Sequence, residues 1–396
     1  MVVDTMAVSQ RSTISALMKT CHTLYTEGPK HMLRGGVLLA STDKTTKFMR
    51  FMLAEDPSRL KYLRRLILCI QHLAYSEAED HLVQFLFHPS LKLEDLVLYP
   101  ARLFLGRYTE PTLRMAIGGL MTVKHLVVVG VDPYVASLVT GLPWYLESLS
   151  ISVKHDVQEI LPMFAPFSNT LRTLLIDAEL CTPNRFFGSK PGSCRFPHVQ
   201  TFGIVDHEFV PGLLSISAFA EAFPAITYLQ LIPLDLPITH RREDHPPGWE
   251  LIHTTGSRAH TYGQILESDY TPPALSIPSL VECWGSLHSV QALHLRGTLS
   301  TLRLWQHVRV DDLPTLRAVL EDTCPRRLRL SIELVDTKPL FALLRRSAYP
   351  THLDLQIFVQ GHVKVSTPLG CLAVSAVASH WRCADTGSFR HTSAAS

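Results

Sequence analysis

Four histidines, His240, His245, His253 and His260, crowd one stretch of this sequence. Imidazoles are the commonest metal ligands and general bases at neutral pH, so they are the first place to seek chemistry. Their spacing matches neither H-E-x-x-H, which puts two imidazoles on one helix face, nor a Cys2His2 finger. Asp244 beside His245 supplies two parts of a triad, but no G-x-S-x-G turn supplies the nucleophile. Cys181 and Cys194 flank Pro191-Gly192, with Arg195 following. A reactive thiol needs an activating base as well, and none stands at a fixed offset. The remaining cysteines form no C-x-x-C pair, and Leu68-Cys69-Ile70 reads as a small buried hydrophobe among larger ones. Neither G-x-G-x-x-G nor G-x-x-x-x-G-K-[ST] occurs. The sequence therefore shows no catalytic, metal-ligand or cofactor set, and a non-enzymatic chain is expected. The alternative is an enzyme using the loop from His240 to His260, which requires at least two of those imidazoles to converge in a pocket.

The elements that carry these residues come from a chain with an ample core: 396 residues, 46% hydrophobic and 18% charged, with a formal net charge of +2. Lys and Arg are scattered, so no nucleic-acid footprint is expected. Met1 to Thr13 is mostly polar and lacks the apolar run of a signal peptide. A membrane helix needs roughly 18 uncharged apolar residues, and the best run, Met115 to Val139, is broken by Lys124, His125 and Asp132. The expectation is no membrane span and a cytoplasmic or nuclear location.

One pattern recurs along the chain, apolar-x-x-apolar-x-apolar. It appears as Leu63-Leu66-Leu68, Leu93-Leu96-Leu98, Val123-Leu126-Val128, Leu146-Leu149-Ile151 and Leu171-Leu174-Ile176. Further copies are Val199-Phe202-Ile204, Ile226-Leu229-Leu231 and Val290-Leu293-Leu295. In so apolar a chain chance supplies roughly a dozen such matches, so the pattern alone decides little. The spacing decides more: from Leu66 to Leu229 the central residues lie about 23 to 30 apart, against a roughly 20–29-residue period for leucine-rich repeats.

Helical signals fall between the copies. Ser76-x-x-Glu79 is a capping box before Leu82, Phe85 and Leu86. Thr109 and Pro111 precede a stripe of Leu113, Ala116, Ile117 and Leu120. Asp132-Pro133 sets a cap before a helix-compatible proline. Asp156-x-x-Glu159 precedes Ile160 and Leu161, and 209–223 and 337–346 read as helices too. Alternating strand and helix also fits a doubly wound nucleotide-binding sheet. The uniformly short strands and the missing glycine fingerprints favour the repeat. The expected fold is α/β: an irregular leucine-rich-repeat solenoid with parallel strands on the concave face and helices on the convex face.

The asparagine of the usual repeat is missing. Its positions hold Gln71, Ala101, Val131, Lys154, Glu179, His207, Leu234 and Thr298, so other groups must satisfy the turn backbone. Residues 233–273 break the rhythm as a long polar loop, around a degenerate copy at Trp249-Glu250-Leu251-Ile252. Leu328-x-Leu330-x-Ile332-x-Leu334 and Leu353-x-Leu355-x-Ile357 alternate as strands and close the array. The expected organisation is an amino-terminal cap over 1–40, a solenoid over 41–360, and an irregular or partly disordered tail over 361–396.

In such a strand the residues flanking the central apolar one face outward. That face carries Arg65 and Ile67, Asp95 and Val97, His125 and Val127, Ser148 and Ser150, and Thr173 and Leu175. It continues with Thr201 and Gly203, Tyr228 and Gln230, and Ala292 and His294. Ile67, Val97 and Val127 form an apolar column, and exposed apolar patches mark interfaces. A protein partner on this face is therefore expected, with Arg65, Asp95, His125, Tyr228 and His294 among the other partner-binding residues.

Ahead of the repeats, Ile14 to Tyr25 is a compact helical pattern centred on Cys21. Glu27-Gly28-Pro29, Met32-Leu33 and Val37-Leu38-Leu39 follow. A cysteine-centred helix, a short helix and an apolar strand in that order resemble the latter half of an F-box and its first repeat strand. Over roughly residues 10 to 360 the chain resembles the F-box and leucine-rich-repeat-like proteins of fungi. The resemblance implies a substrate-recognition subunit of an SCF-type ubiquitin ligase, docked on Skp1 through Leu17, Cys21, Leu24 and Tyr25. The Leu-Pro-x-Glu start of the motif is missing. Two other readings therefore stand: these residues cap the open end of the repeat core, or the chain is an inactive truncated member.

Overall fold

The computed structural model describes residues 28–33, 35–53, 57–70, 77–154, 157, 159–178, 186–187, 194–206, 216–233, 277–293, 295–333, 343, 350–358 and 382–383. It divides after Asp177 into two compact units. In both, strands and helices alternate and the strands lie side by side in chain order.

The first unit holds β1 (Val37–Leu39), β2 (Arg65–Leu68), β3 (Asp95–Leu98), β4 (His125–Val131), β5 (Ser148–Val153) and β6 (Thr173–Ala178). Pairing from β1 to β5 is parallel, and the central residues of successive copies are direct partners: Leu66 with Leu96, Leu96 with Leu126, Leu126 with Leu149. Parallel neighbours need a crossover, and helices supply it. Glu77–Leu86 buries Leu82, Phe85 and Leu86, and Pro111–Gly118 buries Leu113, Ala116 and Ile117. In Pro133–Thr140 the Asp132 carboxylate accepts the Val135 N–H at 2.8 Å, as the Asp-Pro pair predicts.

The second unit holds β7 (Thr201–Asp206), β8 (Tyr228–Pro233), β9 (Glu282–Gly285), β10 (Thr301–Val308), β11 (Arg327–Glu333), β12 (His352–Phe358) and the two-residue β13 (Arg382–Cys383). All pair in parallel, and Phe202, Leu229, Cys283, Leu302, Leu328 and Leu353 form one partner row. Its described helices include Ile216–Ala222, Leu287–Ala292 and Leu313–Thr323.

Backbone groups do the work of the missing asparagines. At Ala101 the N–H donates to the Val129 carbonyl at 2.8 Å, and the Tyr99 N–H donates to Leu68 at 2.8 Å. At the other end of the strands one carbonyl accepts two successive N–H groups. Arg64 accepts from Glu94 and Asp95, Glu94 from Lys124 and His125, Lys124 from Glu147 and Ser148, and Glu147 from Arg172 and Thr173. Gln200 accepts likewise from Thr227 and Tyr228, Thr227 from Val281 and Glu282, and Val281 from Ser300 and Thr301. The same clasp in both units marks one repeating unit of structure. In the first, the clasp residues alternate in charge, and Arg64–Glu94 (3.0 Å) and Lys124–Glu147 (3.6 Å) pair. Such exposed pairs contribute about 0–1 kcal/mol each, so they favour register more than stability.

One expected strand is absent. Val290-Leu293-Leu295 does not form a strand; Leu287–Ala292 is a helix instead. The Ser286 hydroxyl caps it by accepting the Ser289 N–H at 3.0 Å, and Leu287 and Val290, three apart, turn into the core. The strands of this region are β9 and β10 on either side.

Candidate functional site

Side chains alternate across a strand, so the residues flanking each central core position share the sheet's outward face. In the second unit two outward rows run across the strands. The first holds Tyr228, Glu282, Thr301, Arg327 and His352. The second holds Gly203, Gln230, Trp284, Arg303, Arg329 and Asp354. Trp305 follows Arg303 two residues on, on the same face.

These residues lock together. The Trp284 ring meets Tyr228 edge-on at 4.9 Å and Trp305 edge-on at 5.2 Å between centroids. The Arg303 guanidinium lies against both indoles, 4.5 Å from the Trp284 centroid and 4.8 Å from that of Trp305. Each such cation–π contact contributes about 0.5–2 kcal/mol, more as water is excluded. Arg329 Nε pairs with Asp354 Oδ2 at 3.3 Å. Gln230, on the strand beside Trp284, is fully buried, yet neither its amide nitrogen nor its amide oxygen has a hydrogen-bond partner. The Trp284 indole N–H is buried and unpartnered as well. Unpaired buried polar atoms are costly, so a fold keeps few of them without another use.

The first unit presents the expected residues in register but not the expected surface. Arg65, Asp95 and His125 are direct partners in one outward row, and Ile67, Val97 and Val127 in the next. Ile67 is half-buried, and Val97 and Val127 are only 2% and 6% exposed. The apolar column is therefore not an exposed docking stripe. Strands lie about 4.8 Å apart, so in-register pairing sets these branched side chains flank to flank, each shielding the next. The row continues through Ser150, which is also buried. Burial pushes the Asp95 carboxyl above its ordinary range, against opposing pulls from His125 and Arg65.

Of the other predicted residues, Tyr228 stands in the second unit's first outward row. Ala292 is helical, so the outward position assigned to it falls with the misplaced strand. His294, Leu17, Cys21, Leu24 and Tyr25 lie outside the described residues, as do Cys181 and the histidines from His240 to His260. Cys194 is half-buried. Among the described residues no three His, Cys, Asp or Glu side chains group as metal ligands would, and no helix is long and apolar enough to cross a membrane. Sequence reasoning placed Gln230 on the outward face but missed Trp284, Arg303 and Trp305. The signal was there: Leu299-x-x-Leu302-x-Leu304 is another copy of the repeat pattern and puts Arg303 outward. No family model matches the chain, and no curated protein matches it significantly.

Proposed function

We propose that this chain is a protein-binding scaffold, an irregular leucine-rich-repeat solenoid acting in the cytosol or nucleus, whose strand face selects a partner. The repeated strand, helix and backbone clasp support the architecture. The single observation that carries the function is the stack of Arg303 against Trp284 and Trp305 on the outward face of the second unit. Trp, Tyr and Arg dominate the binding energy of protein interfaces, because each combines a large apolar area with a directional polar group. Photo-crosslinking tests the reading. A photoreactive residue in place of Arg327, exposed on the strand face, is expected to capture protein partners. The same residue in place of Arg317, exposed on the helix Leu313–Thr323, is not. Capture from the helix position alone would refute it.

The resemblance of the amino-terminal segment supports a narrower role, a substrate-recognition subunit of a ubiquitin ligase docked on Skp1. Co-purification with Skp1, lost on Leu17→Asp or Leu24→Asp, is the expected result. No retention by Skp1 removes the ligase role and leaves the scaffold.

A further inference from the structure

We infer that the edge of the first unit where its strands begin docks on a second copy of this chain, about a twofold axis between β3 and β4. The inference goes beyond the protein-binding reading and does not depend on it. Charge order is the first argument. The residues that precede β2, β3, β4 and β5 are Arg64, Glu94, Lys124 and Glu147, a row of alternating sign. Each stands just before a member of the in-register row Arg65, Asp95, His125 and Ser148, so successive charges lie one strand apart, about 4.8 Å. A twofold axis at the centre of this row sets Arg64 opposite Glu147 of the second copy and Glu94 opposite its Lys124. Every charge then meets its opposite across the axis as well as along the row, and such self-complementarity is what a twofold contact requires. The in-chain pairs leave capacity for it. All four side chains are about half exposed, Arg64 serves Glu94 Oε1 and the Lys92 carbonyl through Nη1 alone, and Lys124 Nζ reaches Glu147 Oε1 at 3.6 Å. The second oxygen of each carboxylate and further N–H donors of each cation remain for another copy.

Exposed apolar side chains on the same edge are the second argument. A crossover helix returns the chain to the edge where the next parallel strand begins. Phe87, Met121 and Tyr145 follow the helices Glu77–Leu86, Pro111–Gly118 and Pro133–Thr140, and are 53%, 55% and 72% exposed. The repeat itself does not require large apolar groups there. Lys61 and Asn169 stand two residues before the first core position of their copies, as Met121 does, and Lys92, Thr122 and Thr170 stand one residue before it, as Tyr145 does. The same axis brings Phe87 to Met121 of the second copy and Tyr145 to its Tyr62, an apolar contact beside the charged row. Lys61, Lys92 and Arg172 give this edge a surplus of positive charge. An acidic partner would neutralise that surplus but has no use for the alternation, whereas a second copy matches it charge for charge.

Sedimentation velocity of the full chain tests the inference, at about 0.15 M salt, where the surplus cations beyond about 8 Å are screened and the close pairs are not. The parent should self-associate at or below about 0.1 mM. Glu94→Lys and Lys124→Glu each turn two symmetry-related attractions into repulsions, so each should weaken self-association at least about tenfold. An equal mixture of the two variants should associate as the parent does, because each chain then offers across the axis the charge that the other lacks. Rescue by mixing cannot arise from a contact within one chain. Tyr145→Ser should also weaken association while leaving the urea midpoint unchanged, since the side chain is exposed. A parent that stays monomeric at about 0.1 mM, reversals that leave association as it was, or a mixture that stays monomeric would each overturn the inference. Crosslinking at the strand face is independent of all three outcomes and tests the scaffold reading by itself.

Discussion

Gln230→Met should make this protein more stable. The wild-type side chain is fully buried, with two polar atoms unpartnered. Each such group costs about 1–3 kcal/mol of unrecovered desolvation. Methionine keeps the length and nearly the volume, and a volume-conserving swap in a packed site costs less than about 1.5 kcal/mol. The balance is a gain of about 1–4 kcal/mol. Urea unfolding followed by tryptophan fluorescence is the assay, because Trp284 and Trp305 report directly on the second unit. With a slope of about 2–3 kcal/mol per molar urea, the midpoint should rise by about 0.3–2 M. Gln230→Glu is the counter-test, since it buries a charge without a partner and should lower the midpoint. A midpoint that falls on Gln230→Met would mean that the amide is satisfied in the folded state, by trapped water for example. The reading of the amide as unpartnered would then fail.

Three further outcomes are expected. Phe202 is fully buried, with ring centroids 6.0, 5.3 and 4.7 Å from Phe186, Phe219 and Phe223, so Phe202→Ala should cost about 3–5 kcal/mol by chemical denaturation. Complete burial pushes the Cys283 thiol up to about 12. Alkylation near about pH 8 should therefore leave it unmodified in the native protein and reach it only in denaturant, because the thiolate is the reacting species; modification of the native state at the rate of an exposed thiol contradicts this. Asp95 is held above the ordinary carboxyl range by burial. Its native state binds the proton more tightly than the unfolded chain, so stability falls as pH rises from the unfolded value through the folded one. Asp95→Asn should remove that slope and be more stable than the parent at neutral pH, read from urea midpoints across a pH series; a steeper slope in the variant contradicts the assignment.

How far the sequence could be read depended largely on whether each copy kept its large side chains, although β10 was missed with Leu299, Leu302 and Leu304 all in place. From β2 to β8 the three apolar positions are filled by Leu, Val, Ile or Phe, and the strands lie where spacing put them. In β9 the second and third of those positions are Cys283 and Gly285. A Cβ added at Gly285 would lie 3.0 Å from Val290 Cγ2 and 3.3 Å from Leu231 Cβ. The short helix Leu287–Ala292 crosses so close to this strand that only small residues fit beneath it, and small residues erase the pattern. The same helix supplied the decoy. Val290, Leu293 and Leu295 mimic the repeat because residues three apart on a helix and residues of this strand pattern begin with the same spacing. The Ser286 cap was the distinguishing mark. The site was hidden for a related reason, since Trp284 and Arg303 belong to different strands and form no local motif.

What separates function from folding is a comparison of equivalent rows. In the first unit the second outward row is Ile67, Val97, Val127 and Ser150, apolar or small side chains, of which all but Ile67 are buried. The same parallel register is thus stable without arginine, tryptophan or a buried amide at those positions. In the second unit the corresponding row reads Gln230, Trp284, Arg303, Arg329 and Asp354. The backbone pairing and the core row behind are of the same kind in both, so the fold's own needs do not account for the difference. A buried amide without a partner lowers the stability of the free protein. It becomes favourable only when something else supplies the missing hydrogen bonds, which is the ground for proposing a partner on this row.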